Sequence, residues 1–121
     1  MEDNWKKLYA RKNENFTFVE EEVKQLLEEV VKVINNHLNN VHVRNAEIKD
    51  TYIDFPDCKV TFEIDKKQII FVKEDNVGGL QTQAELVISD RNLITFVQTE
   101  KGYFDFGEPL IDEVLRYLLV D

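Results

Sequence analysis

Apolar residues recur at intervals of three and four through the first third of the chain and largely at intervals of two after it, so helices and strands are expected in separate blocks. Val19, Val23, Leu26, Leu27, Val30, Ile34 and Leu38, with His37 continuing them, form one stripe of a helix of about twenty residues. Thr17 and Glu20 have the spacing of a capping box at its start. Glu21, Glu22, Lys24, Glu28, Glu29 and Lys32 make its wet side, and the asparagines at 35, 36, 39 and 40 are expected to fray its end. A shorter stripe of Trp5, Leu8 and Tyr9 predicts a helix capped by Asp3 or Asn4 and ending near Asn13.

Past Val41 the period changes to two. Residues 41–48 read as an irregular first strand with a bulge or break. Residues 59–65 alternate cleanly, with Val60, Phe62 and Ile64 on the core side. Asp65, Lys66 and Lys67 turn the chain into 68–73, where Ile69, Ile70, Phe71 and Val72 are apolar without interruption, so both faces of that strand want cover. After the flexible connection at 76–79, strands are expected at 83–89 and 93–100 across Asp90, Arg91 and Asn92, and again at 103–106 beyond a turn at Lys101 and Gly102. Gly107, then Pro109, opens a last helix running to about Val120. Leu110, Ile111, Val114, Leu115 and Leu118 face inward on it.

This order specifies an α+β fold: a single antiparallel meander of five or six strands packed on the long N-terminal helix, with a C-terminal helix. One domain spans 1–121, the helix within 1–15 being peripheral. Its core is expected to centre on Leu26, Leu27, Val30, Ile34, Phe62, Ile64, Phe71, Leu86, Ile88, Phe96, Val114 and Leu118. If the strand at 68–73 has one wet face, either Ile69 and Phe71 or Ile70 and Val72 are left without cover, so the N-terminal stripe or a second subunit is expected there and a homodimer is anticipated. The plan of helix, antiparallel sheet and closing helix in an acidic chain resembles the small secretion chaperones that bind effector proteins as dimers. Those place a helix between their third and fourth strands, where this chain has residues 76–82, and no signature residue or site carries over.

Charge narrows the partners. Fifteen basic against 24 acidic residues give a net charge of −9, which repels polyanions and argues against direct nucleic-acid binding. Only the first fifteen residues are basic in excess, through Lys6, Lys7, Arg11 and Lys12. Hydrophobic residues at 43% exclude disorder. The single cysteine and the absence of a signal or membrane span make a cytoplasmic, non-membrane protein the expectation.

Candidate chemistry is thin. His37 and His42 lack the partner spacing of a zinc site, so no metal or other cofactor is expected, and His37 reads as a partly buried side chain near a helix C-terminus. Cys58 would be a nucleophile only if His42 and Asp54 or Asp57 came to it; otherwise it is a small half-buried hydrophobe. No phosphate-cradling glycine loop or nucleophile elbow occurs. The carboxylates at 20–22, Glu28, Glu29, Asp54, Asp57, Asp105, Glu108, Asp112 and Glu113 can together present an acidic face to a basic protein. Tyr103 is an interface-type residue, while Phe104 and Phe106 are expected against the last helix. The function these features favour is a non-enzymatic protein-binding module of inhibitor, immunity or chaperone type. Its candidate contact residues are Glu21, Glu22, Glu28, Glu29, Asp105, Tyr103, Ile70 and Val72. The alternative is a ligand-binding or enzymatic domain with a pocket between sheet and helices near His42, Cys58 and Tyr103.

Overall fold

A computed structural model describes residues 4–14, 16–103 and 105–120, with the side chains of Asn4, Arg11 and Tyr103 outside the description. Two helices precede the sheet, α1 at Asn4–Lys12 and α2 at Glu20–Asn40. Seven strands follow: β1 Glu47–Ile48, β2 Tyr52–Asp54, β3 Cys58–Ile64, β4 Gln68–Asp75, β5 Gln81–Ile88, β6 Ile94–Phe96 and β7 Lys101–Tyr103. Helix α3, Glu108–Leu119, closes the chain. The strands form one antiparallel meander in the order β1 to β7, so the fold class is as expected while the strand number is seven rather than five or six.

Alternation sets the two faces of this sheet. Val60 and Phe62 on β3, Ile69 and Phe71 on β4, Ala84, Leu86 and Ile88 on β5, and Ile94 and Phe96 on β6 are buried on the inner face. Val23, Leu27, Val30 and Val31 of α2 and all five inward residues expected on α3 join them in one core. The helices pack on each other, and α3 also packs on β5. Leu26, Ile34 and Ile64, expected at the centre, are only partly buried and pack at the margin of this cluster.

Several local signals are overridden by longer-range contacts. The Thr17–Glu20 capping box does not form: α2 begins at Glu20 behind Val19, without a side-chain cap. The backbone just before it is held by the β3–β4 turn, where the Phe18 N–H donates to Lys66 O at 2.8 Å. The strand expected at 41–48 shrinks to β1, and β2 was not anticipated. The strand at 93–100 stops at Phe96, because Glu100 (φ 58°) lies in the turn that follows; Gly102 is therefore in β7 rather than in the turn, and the strand at 103–106 moves back to Lys101–Tyr103. Phe106 is half-buried and meets the Phe18 ring at 5.3 Å, whereas Phe104 and the Asp3 cap lie outside the described residues.

Asn35 explains how so short a strand as β1 is held. Its side chain imitates a strand backbone, donating from Nδ2 to Ala46 O (3.1 Å) and accepting from Ala46 N–H at Oδ1 (2.7 Å). Far from fraying, α2 continues to Asn40 and clamps the sheet edge. Asn35→Ala strands the amide of Ala46, a residue only 4% exposed, and is expected to cost about 1–3 kcal/mol in urea unfolding.

Candidate functional site

The meander decides which side chains meet on the outer sheet face. Across the strands, Tyr52 pairs with Thr61, Thr61 with Val72 and Val72 with Gln83. The neighbouring row sets Ile70 between Glu63 and Glu85, and the next sets Val87 between Gln68 and Thr95. Because Ile69, Phe71, Leu86 and Ile88 point into the core, Ile70, Val72 and Val87 point away from α2 and α3. These three and Tyr52 are half-buried. They make an apolar patch bordered by Glu63, Glu85 and, one row beyond Val72, Glu74.

Polar neighbours order the border of this patch. Glu85 accepts from Gln68 Nε2, and its own N–H donates to Gln98 Oε1 at 2.7 Å. Lys59 lies over the Tyr52 ring with Nζ 5.3 Å from the centroid. Arg44 bridges Asp54 Oδ1 (3.2 Å) and Phe55 O (2.8 Å) from the α2–β1 loop.

The other candidate residues lie elsewhere. Glu21, Glu22, Glu28 and Glu29 are all exposed on α2, on the opposite side of the two layers from Ile70 and Val72. Glu22 and Glu29 share a groove of about 350 Å³ with Gln25, Leu26, Phe106 and Gly107. Glu28 lines a different hollow, beside Lys32, Asn35 and Ala46. Asp105 accepts from Lys7 Nζ at 3.0 Å. Tyr103 lies in β7, but its side chain is outside the described residues. The carboxylates and the apolar pair therefore form two surfaces rather than one. Tyr52 and Val87 were missed as members of the patch; for Val87 the signal was its alternation with Leu86 and Ile88, which puts it on the face opposite the core.

Helix α1 does not cover the outer face. All its described side chains are exposed, Trp5 by 66% and Tyr9 by 63%. With Leu8 and Lys12 they line an open groove of about 470 Å³ against Asp90, Arg91 and Leu93 at the β5–β6 turn.

The groups considered for catalysis have different surroundings. Cys58 is 1% exposed, and burial, followed by the nearby Asp57 carboxylate, pushes its thiol up to about 12. A thiol so placed is protonated at neutral pH and not activated for attack. His42 is exposed in the turn after α2, and His37, expected to be partly buried, is exposed as well. Among the described residues no group of three or more His, Cys, Asp and Glu side chains is arranged to hold a metal ion. Native Cys58 is expected to resist iodoacetamide at pH 8 and to react fully once unfolded, as read by intact mass. The same shift bears on stability: a thiol pKa higher in the folded than in the unfolded chain stabilises the fold below about pH 9, and that contribution fades as pH rises from there toward 12.

Among the described residues no helix is long and apolar enough to cross a membrane. Comparison with known protein families, with curated proteins and with solved structures finds no match to this chain.

Proposed function

We propose that this chain is a non-enzymatic cytoplasmic protein-binding module of inhibitor, immunity or chaperone type. It presents its outer sheet face and, on the helix side, an acidic surface to a protein partner. One observation carries the reading: Ile70, Val72, Val87 and Tyr52 lie together on the face that α2 and α3 leave open. A solvated sheet face ordinarily alternates to polar residues, and an apolar patch rimmed by polar ones marks an interaction site. The carboxylates of Glu63, Glu74 and Glu85 around it, and of Glu22 and Glu29 along α2, suit Arg and Lys side chains. A net charge of −9 favours a basic protein over nucleic acid itself.

The competing reading, a ligand pocket between sheet and helices, has less support because core side chains, including Leu27, Ile53, Phe71 and Leu118, are buried there. The test is affinity capture from lysate of the source cell, with the full chain and an Ile70→Asp/Val72→Asp variant in parallel, followed by mass spectrometry. The wild type is expected to retain a protein that elutes by about 0.5 M salt, where screening is short-ranged, and the variant to lose it while melting normally. Equal capture by both forms contradicts the proposal.

A further inference from the structure

We propose that the outer sheet face is occupied by a second copy of this chain, the basic aromatic helix α1 of each copy lying along the Ile70–Val72 patch of the other. This rests on the reading of that face as a docking surface and names the partner that fills it.

Helix α1 leaves its apolar stripe of Trp5, Leu8 and Tyr9 exposed in its own chain. Its nine residues carry Lys6, Lys7, Arg11 and Lys12 with no carboxylate, and its aromatic side chains stay exposed. A helix this short is marginal by itself and needs a packed face to persist. One ion pair that helps hold it, Lys7 with Asp105, is exposed on both sides, where salt screens it.

The outer face offers the complement. Its apolar centre matches Trp5, Leu8 and Tyr9, and its carboxylates Glu63, Glu74 and Glu85 oppose the charge of α1. Size agrees: nine helical residues span about 13.5 Å, well within the roughly 26 Å of an eight-residue strand such as β4 or β5. Area agrees too. The chain exposes 7771 Å², about 1,000 Å² more than the roughly 6,800 Å² typical of a monomer of this mass. That excess compares with the ~800 Å² each partner buries in a standard interface.

The tether places α1 at the rim of the face. The segment after it is fastened to the β3–β4 and β5–β6 turns, through Lys67 Nζ to Phe16 O (2.6 Å) and the Asn92 side-chain amide to Glu14 O. Both turns lie at the end of the sheet next to Ile70, so a two-fold exchange delivers each helix to the facing copy.

The test is sedimentation equilibrium of the full chain at micromolar concentration and low salt, with Trp5→Ala/Tyr9→Ala and Ile70→Asp variants whose folding is checked by melting. The wild type is expected to be a dimer that weakens with salt. Each variant is expected to raise the dimer dissociation constant about tenfold or more, the loss of an interface anchor. Mixing the two is expected to give a heterodimer, since one helix and one face remain intact across the pair. A monomeric wild type, a dimer indifferent to the helix variant, or a mixture that fails to associate overturns the exchange. In the monomeric case the face is left to another protein. If partner capture still requires Ile70 and Val72, only the exchange falls and the docking reading stands; if capture is indifferent to them as well, both fall.

Discussion

Phe71→Ala is expected to remove about 3–5 kcal/mol of stability, the larger of the core effects, and to lower the Tm by roughly 10–20 °C. Phe71 is fully buried on β4, the central strand of the meander, with Phe62 beside it on β3 and Ala84 on β5. The ring covers the space that so small a neighbour as Ala84 leaves. Truncation would set two alanines side by side beneath the helices, and a strand paired on both edges cannot slide in to close the gap. Against a total stability of about 5–15 kcal/mol for a domain, the loss is a large fraction. Calorimetry reads it directly, and a variant melting within a degree or two of wild type would contradict the packing of the core.

Where local pattern and tertiary structure agree, the sequence was legible. Helix α3 follows from Gly107, Pro109 and the spacing of Leu110, Ile111, Val114, Leu115 and Leu118, every one of which is buried. The alternation of β3 placed Val60 and Phe62 in the core for the same reason. β4 was harder, because four consecutive apolar residues carry no phase. What puts Ile69 and Phe71 inward is pairing with Leu86 and Ala84 more than a dozen residues away.

The failures come from elements too short to have a period and from contacts across the fold. β1 and β2, of two and three residues, depend on Asn35 and on pairing with β3. The capping box does not form because α2 starts at Glu20 behind Val19, two residues later than the box requires. Spacing puts His37 in line with the apolar stripe, yet it is exposed, while Val23, Leu26, Leu27, Val30, Ile34 and Leu38 of that stripe are buried or half-buried. Residue type marks a contact candidate but does not say which layer of a fold it occupies. Sheet topology separates Ile70 and Val72 from the α2 carboxylates, and it adds Tyr52 and Val87 from strands distant in sequence.

Ile69→Asp is expected to unfold the protein, whereas Ile70→Asp, one residue away, is expected to leave it folded. Ile69 is fully buried among apolar side chains, where a carboxylate has neither water nor a cation, and an isolated buried charge costs several kcal/mol at least. That is comparable to the whole stability of a domain. Ile70 is half-exposed on the opposite face, where water solvates the new charge and its repulsion from Glu63 and Glu85 costs roughly a further 1 kcal/mol or less. One face of this sheet is core and the other an open surface. Thermal melts of the two variants, at a concentration low enough to keep the chain monomeric, test it most directly. The expected result is no cooperative transition for Ile69→Asp and a Tm within a few degrees of wild type for Ile70→Asp. Comparable loss of stability in both variants would contradict it, because Ile70 would then be packed as tightly as its neighbour.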